Sequence, residues 1–179
     1  MNLKTIIGIT IAGIILALGI GIFSMYVNYN KTEVSLRKQS DAQRGNIEAV
    51  YDQMWKIIAQ KAKVSNEYKD AFKEIYPDLI EGRYSQGDGS LMKWIQESNP
   101  NFDVSLYKDL MNSIEIERVN FTKQQVRMLD IIREHETLCN VIPSKWFISN
   151  KTPIEYTVIS STRSKEVMKS GVDDDVELF

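Results

Sequence analysis

The chain contains one cysteine, Cys139, and one histidine, His135, in 179 residues. A single thiol excludes an intrachain disulfide framework and leaves the redox compartment open. A single imidazole means that any Ser–His–acid triad has to use His135, and no serine stands in a G-x-S-x-G turn to act as its nucleophile. A metal site is equally short of ligands. His135 and Cys139 fall at i and i+4 of REHETLC, on one helical face, but a zincin needs a second histidine where Cys139 stands and a third ligand from elsewhere, and the chain has no other histidine or cysteine. His135 instead reads as a packed seam residue with one hydrogen bond.

Excess charge of either sign is also missing. Lys and Arg total 22 against 24 Asp and Glu, so there is no electrostatic case for nucleic acid. The glycines of GRYSQG, residues 82–87, are not followed by Lys-Ser or Lys-Thr, so a phosphate-cradling loop is excluded. Glu115, Glu117, Glu134 and Glu136 are spaced like a solvated helix face rather than an acid/base pair. These absences together predict a protein with no catalytic residue, metal, cofactor or small-molecule substrate.

Charge disappears altogether from one long stretch. Ile6 to Val27 reads IIGITIAGIILALGIGIFSMYV, while the mean hydropathy of the whole chain is only −0.27, which excludes a multi-span protein. As a helix the stretch measures about 33 Å, enough for a hydrocarbon core of roughly 30 Å. Its Ile, Leu, Phe and Val side chains favour insertion by about 5 kcal/mol. A cleaved signal peptide would have a shorter apolar region and a small-x-small site, and SMYVNYN offers none. The segment therefore reads as a retained membrane span with Tyr26 at the interface. Gly13, Ala17 and Gly21 form a small-xxx-small row on it, suited to close approach of another membrane helix. Lys31, Arg37, Lys38 and Arg44 outweigh Lys4 and the N-terminal amine, so the positive-inside bias favours a soluble part on the cytoplasmic side of a bacterial inner membrane, while MNLK before a long apolar run also suits an anchor with its N-terminus inside.

Beyond the span, residues 28–46 are polar and free of proline, so the helix is expected to continue outward. From Ile47 a heptad seam follows, with Ile47, Met54, Lys61, Tyr68 and Ile75 in one register and Tyr51, Ile58, Ser65, Phe72 and Leu79 in the other. Pro77 predicts a kink or stop near Tyr76. GRYSQGDGS, residues 82–90, is a loop by composition. Ser90 is expected to cap a short helix to Ser98, with Leu91, Trp94 and Ile95 on one side and Asn99-Pro100 ending it. Asp103 or Ser105 then caps a second long helix. Its seam holds Tyr107, Ile114, Phe121, Met128, His135 and Ile142, alternating with Leu110, Glu117, Gln124, Ile131 and Leu138.

The fold expected is all-α: a transmembrane helix, then an antiparallel bundle of long helices, then a short extended C-terminal segment. The domains are residues 1–27 as anchor with the span at 6–27, residues 28–147 as bundle, and residues 148–179 as extended segment and acidic tail. The tail, with Asp173, Asp174, Asp175, Leu178 and Phe179, reads first as an acidic solvating end, and its alternative reading is docking into a basic-rimmed apolar pocket on a partner.

YNKTEVSLRKQSDAQRGNIEAVYDQMWK after the span and RVNFTKQQVRMLDIIREHETLCNVIPSKWF later on resemble the LemA family. The correspondence rests on Asn30, on Tyr51 or Trp55, and on Arg118, Pro143 and Phe147. It covers roughly residues 26–157. IIAQKAKVSNEYKDAF stands where cellular members have a basic segment leading to Leu-Ile-Pro-Asn-Leu, and GVDDDVELF is not the usual ending. A divergent branch of the kind tailed bacteriophages carry would account for both departures. The resemblance implies a membrane-anchored helical protein without catalytic residues. The function expected is non-catalytic interaction or scaffolding, in contact with lipid and with a protein partner or a second copy. The competing expectation is an oligomeric structural protein of the bacterial envelope, assembled through Gly13, Ala17 and Gly21.

Overall fold

The computed structural model describes residues 2–80, 90–160 and 169–170. Among them the protein is all-α. Helix α1 runs Leu3–Lys61, α2 Lys69–Ile80, α3 Ser90–Ser98, α4 Tyr107–Asn140 and α5 Ser144–Phe147, with 3-10 turns at Asn66–Tyr68 and Val104–Leu106. From Ile148 to Ser160 the chain forms neither helix nor strand, with a bend at Ser149. One helix among the described residues is long and apolar enough to cross a membrane, and the qualifying window of α1 is 0% buried. Residues 82–89 of the expected loop and the tail residues Asp173, Asp174, Asp175, Leu178 and Phe179 lie outside the described residues, as does the side chain of Ser90.

The buried positions of α1 begin where its exposed apolar half ends. Glu33, Leu36, Ser40, Gln43, Ile47, Val50 and Met54 are buried in steps of three and four, the spacing of a helix that keeps one stripe against a partner. The seam therefore starts within the polar stretch, earlier than the apolar residues alone indicate. Two compact units are built on it. One comprises Met1–Gln43 and Met128–Glu155, the other Arg44–Arg127 and Tyr156–Phe179. In the first, Glu33 meets His135 and Ser40 meets Met128, so α1 and α4 run antiparallel and in step.

In the second unit the expected long helix from Ile47 to Leu79 is broken. α1 stops at Lys61, and α2 starts afresh at Lys69. The break falls between Lys61 and Ser65, the two polar members of the seam, and Ala62 and Val64 are buried within it outside any helix. Lys63 takes a left-handed conformation with φ 52°, and the Asn99 side-chain amide donates to the Ala62 carbonyl at 2.9 Å, satisfying one of the acceptors a helix end leaves open. α2 folds back along α1: Lys69 pairs with Asp52 at 3.0 Å, and Phe72 packs on Tyr51 and Trp55 with ring centroids 5.5 Å apart. Pro77 does not stop α2 near Tyr76. Leu79 and Ile80 are both buried beyond it, and at about 1.5–3 kcal/mol each they offset the roughly 3 kcal/mol that an internal proline costs.

α3 follows its expected pattern, with Leu91 and Ile95 buried and Trp94 half-buried. Asn99 ends it by accepting from the Asn101 amide in an Asx turn. The Asp103 carboxylate accepts from the Ser105 amide at 2.9 Å at the start of the turn into α4, and hydrogen bonding from the Ser105 side chain, then from that amide, holds its carboxyl below the usual range. Ile114, Phe121, Met128 and His135 are buried as their seam demands. Ile142 is not: α4 ends at Asn140, the Ile142–Pro143 peptide is cis, and Ile142 is exposed in the turn that follows.

Candidate functional site

Two side-chain amides hold the C-terminal segment, one in each unit. In the first, Asn30 donates through Nδ2 to the Phe147 carbonyl at 2.8 Å, and its Oδ1 accepts from the Ser149 amide at 3.1 Å. Tyr29 stacks on the Phe147 ring at 5.8 Å, and the hydroxyls of Tyr26 and Ser149 are 3.1 Å apart. In the second, Gln125 accepts from the Ile159 amide at 2.9 Å and donates to the Ile159 carbonyl at 3.1 Å, while the Tyr156 hydroxyl donates to Gln125 Oε1 at 3.0 Å. Arg44 lies over the Tyr156 ring, 5.9 Å from its centroid. A backbone with no strand partner thus obtains its hydrogen bonds from helix side chains.

A buried polar cluster lies one turn further along α1. Glu33 and His135 are almost fully enclosed, at 3% and 1% exposure, with His135 Nε2 3.3 Å from Glu33 Oε1. Arg37 pairs through Nε with the same Glu33 oxygen and donates through Nη2 to the Thr152 carbonyl. Cys139 Sγ lies 3.7 Å from His135 Nε2, one helical turn on, and His135 Nδ1 is buried with no hydrogen-bond partner. A proton on Nε2 lets the ring donate to Glu33, and Arg37 balances the carboxylate charge. Burial pushes the Cys139 thiol up, and the Glu33 charge adds to this against the smaller opposing effects of Arg37 and Lys151. A thiol held protonated is a poor nucleophile. Among the described residues no group of three His, Cys, Asp or Glu side chains is arranged to hold a metal ion. Glu33 and His135 are thus paired across α1 and α4 away from solvent.

The second unit has an apolar groove lined by Ile47, Tyr51, Tyr76, Phe121 and Ile159, with Glu48 and Lys73 among its lining residues. The hydroxyls of Tyr51 and Tyr76 are buried there without a hydrogen-bond partner, and burial pushes both upward. They remain protonated near neutral pH.

Gly13, Ala17 and Gly21 share one face of the exposed half of α1, and a Cβ added at Gly13 or Gly21 would meet nothing within 4 Å. The row is open. Of the residues behind the family resemblance, Asn30 and Phe147 are brought together. Tyr51 and Trp55 join the aromatic core of the second unit, and Arg118 pairs with Glu115. Glu33, Arg37 and Gln125 are the residues that an apolar reading of the seam misses. The signal for Glu33 was the three-and-four spacing continued back through Leu36, Ser40 and Gln43.

Comparison with family models, with curated proteins and with solved structures finds no match.

Proposed function

We propose that the chain is held in a bilayer by the first half of α1 and presents its two helical units as a non-catalytic interaction scaffold. The observation that carries this is the contrast along one helix. Every described residue up to Asn28 is exposed, and the buried stripe begins at Glu33. Apolar side chains in a core helix would be covered by protein, and these are not, which suits lipid as their solvent. A cleaved leader fits less well, because α1 is unbroken from Leu3 to Lys61, and Tyr26 and Asn30 are hydrogen-bonded to the segment after α5. The LemA resemblance belongs to the same proposal, supported by the Asn30–Phe147 bond between two of its residues. Placement of the units on the cytoplasmic side of a bacterial inner membrane rests on the basic residues after the span.

The full chain should float with vesicles and resist alkaline carbonate, and a chain lacking residues 1–27 should not. Carbonate release of the full chain would end the anchoring proposal. A topology reporter after Phe179 reads the side. The second reading, assembly through Gly13, Ala17 and Gly21, draws on the open face of that row. Replacing all three with Ile should then abolish a crosslinked oligomer, and an unchanged oligomer would remove it.

A further inference from the structure

The turn between α4 and α5 leaves three large apolar side chains uncovered: Val141, Ile142 and Trp146 are 53%, 60% and 71% exposed. The Ser144 hydroxyl between them is turned inward onto the Val141 carbonyl at 2.8 Å, and Ile148 is buried, so the backbone of the turn is well held. Its level along α1 is fixed by the register. Glu33 faces His135, and past the end of α4 Val141 and Ile142 line one hollow with Thr32 and Leu36. The chain after the turn reaches nearer the span, through the Tyr26–Ser149 and Asn30–Phe147 bonds. This is where the uncharged run of α1 ends.

We propose that this turn is a second, shallow membrane contact, with Val141, Ile142 and Trp146 seated at the headgroup–acyl boundary of the bilayer that α1 crosses. The inference rests on the anchoring proposed above. Tryptophan favours that boundary because an apolar body and an N–H donor are both satisfied there. From Thr137 to Ile154 the chain has no acidic residue, and Lys145 and Lys151 are exposed within it. Exposed lysines at headgroup level favour anionic lipid. A protein partner covering the turn would have no reason to meet it at the depth where the span leaves the lipid. The chemistry selects an anionic bilayer surface.

The test is tryptophan quenching in the full chain, reconstituted into phosphatidylcholine–phosphatidylglycerol vesicles whose acyl chains carry bromine near the glycerol end. Trp55 is buried and Trp94 half-buried in the second unit, while Trp146 is 71% exposed, so Trp146 is expected to dominate the quenchable emission. Trp146→Phe, at an exposed position, should reduce that component roughly fivefold or more while the protein still floats with the vesicles. Equal quenching in the two proteins, or a Trp146 that aqueous iodide quenches freely in vesicles, would overturn the proposal. Shielding of Trp146 only in a crosslinked dimer would also overturn it, in favour of a second copy. A full chain that fails to float takes the anchoring down with it, and that result is distinct from floating without quenching.

Discussion

Helices α1 and α4 contribute to both units, yet they bury opposite chemistry in each. In the first unit their facing residues include Glu33, Ser40, Gln43 and His135 beside Leu36 and Met128. In the second, Tyr51, Trp55, Phe72, Tyr76, Trp94 and Phe121 form a chain of ring contacts with centroids 4.6–6.4 Å apart. The seam spacing is the same. What differs is the kind of information each stripe carries. Rings buried against rings contribute area and are tolerant of small shifts, so they favour stability. A carboxylate shared between a guanidinium and an imidazole contributes little net energy but penalises every other register, because a shifted helix would leave a charge buried alone.

The largest test of this difference is Phe72→Ala. Phe72 is fully buried and touches four other aromatic rings. The substitution should cost about 3–5 kcal/mol in denaturant unfolding followed by the emission of Trp55 and Trp94. A loss under about 1 kcal/mol would mean the rings are not what supports the second unit. Glu33→Ala comes next, at about 3 kcal/mol, because it strands His135 and removes the acceptor of Arg37. The paired change Glu33→Met with His135→Leu should cost clearly less than Glu33→Ala in the same measurement, because only the partly exposed Arg37 then lacks its carboxylate. If single and double variants cost the same, the cluster does not act as a unit.

The tyrosines sharpen the contrast through pH. Burial raises the Tyr76 hydroxyl strongly and the Tyr51 hydroxyl less, with Lys73 and Lys69 opposing the latter. The unfolded chain then releases these protons first as pH rises past about 10, so the native state loses stability above that value and is unaffected below it. Tyr76→Phe should flatten the alkaline limb of the stability profile. An unchanged limb would place the ionisation elsewhere. The smallest effect expected is at Lys63, whose φ of 52° suits glycine. Lys63→Gly should raise stability by about 0.5–1 kcal/mol, read as a higher denaturation midpoint.

Much of this was legible in the residues. The uncharged run from Ile6 to Val27, the short helix at Ser90–Ser98 and the buried faces of Ile114, Phe121 and Met128 follow from hydropathy, capping and periodicity. The first seam was only half legible, because its N-terminal stretch is written in Glu, Ser and Gln. A stripe of polar residues that satisfy one another looks like a solvated face until its partner is known. The break at Lys61 had its signal in the two polar seam positions, but its cap comes from Asn99, which lies far along the chain. Gln125 offered no local signal, since what it holds is the backbone of Ile159. The end of α4 was placed too late because Ile142 fits the period, and period alone does not distinguish a side chain facing a helix from one facing outward.

Between Tyr26 and Asn30 the chain passes from its uncharged stretch into its folded part without proline, glycine or any interruption of the helix. On the proposed anchoring, this stiff junction makes the span a lever. A thinner or thicker bilayer is accommodated by tilt, and with no swivel at the junction a change of tilt is passed directly to Glu33 and Leu36. Bilayer thickness would then bear mechanically on the Glu33–His135 contact, and vesicles of graded chain length are the means of applying that load.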